Sequence, residues 1–221
     1  MNAKSLLSLL YLSSPALPIG AFAYSQGLES AIEMEWVKDD EDLAQWLVGV
    51  LSNGLAKQDL PLFYRLYQGW ITDDIAVVNH WNQYFRASRE SAELLLEDEQ
   101  LGRSLRRLLL SIGRIQEDEL PVDAGFFTLY ALASVRFEID IDEAAMGLCW
   151  SWLENQITVA CKTIPLGQTA AQKVMLPMME KIELAIVQAK QIEDSDIGST
   201  LPGFAIASAI HETQYSRLFR S

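Results

Sequence analysis

Apolar residues in this chain recur every three or four positions in one segment after another and almost nowhere alternate, a period that builds helices and leaves little material for a sheet. Leu43, Trp46, Leu47, Val50, Leu51 and Leu55 form the clearest such stripe, with Asp39 and Asp40 placed to cap its start. Asp59 followed by Pro61 reads as a new helix start, because proline suits the first helical turn, and Leu62, Phe63, Leu66 and Trp70 give that helix its buried face. Thr72-Asp73-Asp74 opens a further helix.

Leu101, Leu105, Leu108, Leu109 and Ile112 mark a helix ending near Gly113. Pro121-Val122-Asp123 then punctuates the chain before a helix carrying Phe126, Phe127 and Tyr130. Asp142 supplies a cap for the next, with Met146, Cys149, Trp150, Leu153 and Ile157 facing inward. Val174, Met175, Met178, Ile182, Ala185 and Ile186 predict a last long helix, and the acidic stretch Glu193 to Ser199 reads as a mobile linker. Val135 to Ile141 alternates and fits either an isolated strand or a helix end with its connection. The economical fold is all-α: a single-domain bundle of roughly eight to ten helices over residues 1–200, with an N-terminal turn motif and a C-terminal docking tail over 201–221.

With 30 acidic against 17 basic residues the chain carries a formal charge of −13, which repels phosphate backbones and argues against general nucleic-acid binding. Basic or metal-loaded partners suit it better. The two cysteines, Cys149 and Cys161, suit a reducing compartment more than a disulfide scaffold, and Cys161 reads as a small buried apolar residue. The opening Met1 to Leu12 has one lysine before a short apolar run without a small-x-small cleavage site, so the expected location is the cytoplasm.

Known chemistries find few footholds. His211-Glu212 begins a His-Glu-x-x-His zinc motif, but Tyr215 stands where the second histidine belongs, and His80 is the only other histidine. Gly167 to Lys173 lacks the second glycine and the Lys-Ser/Thr pair of a phosphate loop, and Gly20 to Gly27 lacks dinucleotide spacing. No Gly-x-Ser-x-Gly elbow exposes a nucleophile, and Glu97 with Asp98 reads as a solvated helix face or turn. Arg103, Arg106 and Arg107 fit a charged surface balanced by Glu97, Asp98 and Glu99; gripping a partner's carboxylate is the other reading.

Two segments are too particular for generic loops: Ser14-Pro15-Ala16-Leu17-Pro18-Ile19-Gly20-Ala21-Phe22-Ala23-Tyr24-Ser25-Gln26-Gly27-Leu28-Glu29 and the tail His211 to Ser221. Together with Asp59-Leu60-Pro61, Ala87 to Glu93, Gln100 to Leu105 and Lys162 to Thr169, they make the chain resemble the urease accessory protein F family over nearly its full length. The resemblance implies an all-α, non-catalytic, dimeric scaffold that binds accessory proteins D (H in some bacteria) and G. The assembly acts on apo-urease. The resemblance further implies that protein G binds the GTP and that nickel passes through the assembled complex; because Pro121 to Phe126 lacks the histidine that many family members carry near this point, this chain is expected to bind no cofactor or metal tightly.

By the same resemblance, the tail from Pro202, including His211 and Glu212, orders against protein D. Tyr215, Leu218 and Phe219 are then its apolar anchors, with Arg217 and Arg220 as charge-assisted donors. Lys162, Glu29, Tyr24 and Asp59 become candidates for the GTPase-facing surface; as plain structure the last three are a helix carboxylate, a turn tyrosine and an N-cap. Two alternatives stand beside this reading. One is a helical adaptor outside the urease system, and the other is a small hydrolase or transferase using Ser25 or Tyr24 with a carboxylate.

Overall fold

The computed structural model describes residues 2–220. Among them lie ten α-helices and no strand: α1 (Ala3–Leu12), α2 (Leu28–Glu33), α3 (Asp40–Gly49), α4 (Leu60–Ile71), α5 (Ile75–Ala87), α6 (Ala92–Ser111), α7 (Phe126–Arg136), α8 (Ile141–Thr163), α9 (Gln168–Ala189) and α10 (Pro202–His211). Most starts are capped as their residue types demand. Asp39 accepts from the Glu41 and Asp42 amides at 3.0 Å, Asp74 from those of Ala76 and Val77 at 3.1 Å, and Ser91 from Leu94 at 3.2 Å. Gly113 closes α6 just past its last turn, at φ +66°.

Five local expectations need correcting. Asp59 does not start a helix: a π-helical stretch, Val50–Asp59, joins α3 to α4 without interruption, and the Asp59 backbone is itself helical at φ −69°. Its carboxylate turns sideways to Arg89 instead of capping. Asp140, not Asp142, caps α8, accepting from the Asp142 amide at 2.9 Å, while the Asp142 side chain takes the Tyr64 hydroxyl and the Lys190 ammonium. Met146 faces outward, and of the two cysteines it is Cys149 that is buried and Cys161 that is exposed. The stretch read as a mobile linker is packed down: Ile197 is buried, its carbonyl accepts from the Tyr84 hydroxyl at 2.8 Å, and Arg65 pairs with Asp194. The ambiguous Val135 segment is a helix end, turned by Glu138 at φ +57° into the α8 cap.

One apolar core unites these helices. The α4 helix sits between α5 and α7, α6 covers α7, and α9 packs along the π-helical stretch and α8. Phe63, Leu62 and Leu66 of α4 are fully buried, as are Leu129 and Ala133 of α7, so the central pair is apolar around most of its circumference, with Gln68 and Ile71 of α4 left at the surface. The α10 helix lies apart from that centre, against α2 and α6. Contact with α2 is close because residue 27 is glycine: at φ +78° it accepts a left-handed turn, and a Cβ there would stand 2.9 Å from the Ser208 amide nitrogen.

Candidate functional site

The two segments singled out in the sequence meet. From Pro15 to Gln26 the N-terminal block runs as turns and one short 3-10 helix, and α8 holds its end: Asn155 donates to the Tyr24 carbonyl at 2.8 Å and Gln156 to the Ser25 carbonyl at 3.2 Å. Gln26, in the left-handed region at φ +53°, bridges outward, donating to Glu97 at 2.8 Å and accepting from the Trp152 indole at 3.1 Å. The Tyr24 hydroxyl donates to Gln100 at 3.1 Å. Ser25 is fully buried, so it is no exposed nucleophile, and His211 has both ring nitrogens engaged elsewhere.

The tail lies across this block and is fastened by glutamates. His211 is completely buried, with Nδ1 2.8 Å from Glu93 and Nε2 3.2 Å from Glu29. Glu29 also receives the backbone amides of Leu218 at 2.7 Å and Phe219 at 3.0 Å, and Glu93 receives Arg217 at 2.8 Å. Arg217 reaches back to the carbonyls of Gln214 and Glu212 and so folds the tail into a tight loop. Glu212 accepts from the Ala92 amide at 3.1 Å, Ser91 and Ser208 share a hydroxyl contact of 2.6 Å, and the Arg220 amide donates to the Ala23 carbonyl at 2.8 Å. Each buried carboxylate is thus matched by a positive group or by N–H donors, which is the condition for keeping charge out of water.

The named tail residues therefore divide by direction. Phe219 is buried, with the Lys162 ammonium 5.3 Å from its ring centre, and Arg217 is committed to Glu93. Tyr215 is fully exposed and Leu218 is 70% exposed; Ile206 and Ile210 of α10 are exposed as well, and Ile210 lines one shallow surface depression with Tyr215. Of the other candidates, Tyr24, Glu29 and Lys162 belong to this assembly, whereas Asp59 makes no hydrogen bond to the described residues of the tail and is paired with Arg89. Sequence reasoning missed Glu93, the second carboxylate on His211. It stands just past the Ser91 cap, where an acidic residue is ordinary helix chemistry, so no local signal marks it.

Behind the block lies a cleft of about 140 Å³ lined by Leu55, Asp59, Arg89, Glu97, Asp98 and Asn155, among others. Arg89 Nε, Asp98 Oδ2 and Asn155 Oδ1 are buried along it without a protein partner, so the cleft is fitted for water or small polar groups. Burial pushes the Asp98 carboxyl up to about 6, against the pull of Arg89 and of the Phe127 amide. Burial likewise pushes the Cys149 thiol up to about 12, which makes it inert packing. No helix among the described residues is long and apolar enough to cross a membrane.

Comparison with known proteins gives one consistent result. The UreF family model matches residues 37–179. The urease accessory protein UreF of Marinobacter nauticus is 49% identical over 218 residues, covering 98% of this chain and 94% of that protein. That of Hahella chejuensis is 49% identical over 222 residues and the full length of both, and that of Teredinibacter turnerae is 48% identical over 220 residues and 99% of both. With an all-helical fold, a match across its centre and relatives aligned end to end, this chain belongs to the UreF family of urease accessory proteins.

Proposed function

We propose that this protein is a non-catalytic, cytoplasmic scaffold of urease maturation, which binds accessory proteins D (or H) and G and presents them to apo-urease for GTP-dependent nickel insertion. The GTP belongs to protein G, and nickel is cargo that passes through the assembled complex. One observation carries this reading: Tyr215 and Leu218 are held outward on a tail whose backbone is already fixed by Glu29 at Leu218 and Phe219. Apolar side chains displayed on an ordered backbone bind at a small conformational cost, which is how interface anchors work. A second exposed apolar face, Leu6, Leu7, Leu10 and Tyr11 of α1 with Met146 of α8, supports a homodimer.

The test is co-purification of the full chain with its cognate D and G proteins, followed by light scattering. Replacing Tyr215 and Leu218 together by serine removes the anchors and leaves the Glu29 contacts intact, so the fold is retained and capture of protein D is expected to fall at least tenfold. Unchanged capture by a folded double variant would rule this surface out as the docking site. Leu7→Glu is expected to give monomers without affecting that capture.

A further inference from the structure

We infer that His211 is a protonation-operated latch, closed when its ring carries both protons and opened as the ring loses one, so that raising the pH frees the C-terminal tail. Both ring nitrogens of this buried side chain face carboxylate oxygens, Glu93 at 2.8 Å and Glu29 at 3.2 Å. An ionised carboxylate can only accept, so each nitrogen must donate, and a neutral imidazole has a single N–H. Loss of a proton therefore turns a nitrogen lone pair onto a carboxylate oxygen in a site closed to water.

The surroundings sharpen the effect. The charged groups facing the ring are Glu29 from α2, Glu93 from α6 and, through Glu93, Arg217 from the tail. Glu212 beside it is turned to the Ala92 amide, and Lys162 of α8 reaches the neighbouring Phe219 ring instead. Two carboxylates, one guanidinium and one imidazolium sum to zero; the same cluster with neutral imidazole holds an uncompensated negative charge. The consequence is mechanical as well as electrostatic. Glu29 is shared between the ring and the Leu218 and Phe219 amides, so repulsion there loosens the segment that displays Leu218.

The experiment is hydrogen exchange on the full chain between pH 5 and 9, corrected for the intrinsic rate, reading the Leu218 and Phe219 amides against those of Leu66 and Trp70 in α4. Protection of Leu218 and Phe219 is expected to fall by up to about tenfold per pH unit across the range in which the closed tail holds a ring proton that the open tail has lost, and to level off above it, while the α4 amides hold. In His211→Gln their protection should be low and flat with pH. In Glu93→Gln, whose amide can donate to a neutral ring, the pH dependence should disappear with the tail still closed. Constant protection in the native chain, loss shared with α4, or a pH dependence that survives in His211→Gln would each overturn the latch.

Discussion

Between α4 and α7 the chain is joined by carbon: Phe63 stands 5.9 Å from Tyr130, ring centre to ring centre, among leucines with no exposed surface. Between the N-terminal block, α6 and the tail it is joined by charge, with Glu29 and Glu93 holding one imidazole, one guanidinium and two backbone amides. The difference lies in how each seam fails. Apolar contacts are nondirectional and tolerate a shifted neighbour, but their loss leaves a cavity that the whole bundle feels. A buried ionic seam is directional, and breaking it exposes the tail while the bundle survives.

The largest expected effect tests the carbon seam. Phe63→Ala removes a fully buried ring touching Tyr64, Tyr67 and Tyr130, and should cost about 3–5 kcal/mol in urea unfolding. Tryptic cleavage at Arg217 should then track global unfolding. A loss below about 1 kcal/mol would mean that the α4–α7 contact is not the centre of the fold.

Next comes the charged seam. Glu29→Ala strands one ring nitrogen and the two amides at Leu218 and Phe219, groups whose burial without acceptors costs about 1–3 kcal/mol each. The tail can escape that cost by opening to water, so the global loss should stop at about 1–2 kcal/mol while cleavage at Arg217 accelerates more than tenfold. Equal acceleration in α4 would erase the distinction between the two seams.

These seams also differ in how far the sequence discloses them. Helix spans and most caps follow from residues three or four apart, which is why Asp39, Asp74 and Gly113 are readable in place. Asp59 misleads because its Asp-x-Pro pattern is a sound cap signal, overridden by a tertiary partner, Arg89, thirty positions away. Met146 misleads because α8 is apolar on more than one face, so periodicity cannot say which side meets the core. The latch is less legible still. His211 and Glu93 are 118 positions apart, and a glutamate near a helix start carries no mark of a distant histidine. The residue types marked both ends of the chain as unusual, but neither they nor the resemblance joined Glu93 to the tail or separated outward Tyr215 from inward Phe219.

A smaller effect probes a charge held inside the apolar region. Asp98 is buried with one oxygen unpartnered, and its carboxyl is raised from 3.8 to about 6 chiefly by that burial. Because the folded state holds the proton more tightly than the unfolded one, the stability it contributes is present at low pH and lost as pH rises through about 6. Asp98→Asn keeps an acceptor for the Phe127 amide and removes the charge, so it should stabilise by about 1–2 kcal/mol at pH 8, shrinking toward zero near pH 4. A variant less stable than the native chain at pH 8 would show that the ionised carboxylate is needed at the cleft.

The smallest effect belongs to the surface, where neither seam operates. Arg103 meets Glu99 one helical turn away at 2.9 Å with its own side chain 67% exposed, and Glu99 retains Arg86 at 2.7 Å when Arg103 is gone. Such a pair gains little in water and is screened by salt, so Arg103→Ala should shift stability by no more than about 0.5 kcal/mol, and by less in 0.5 M salt. The same variant decides between the two readings of the arginine cluster. If Arg103 grips a partner's carboxylate, complex formation with the D and G proteins falls while the isolated chain is unaffected; if it is only part of a charged surface, both measurements stay where they are.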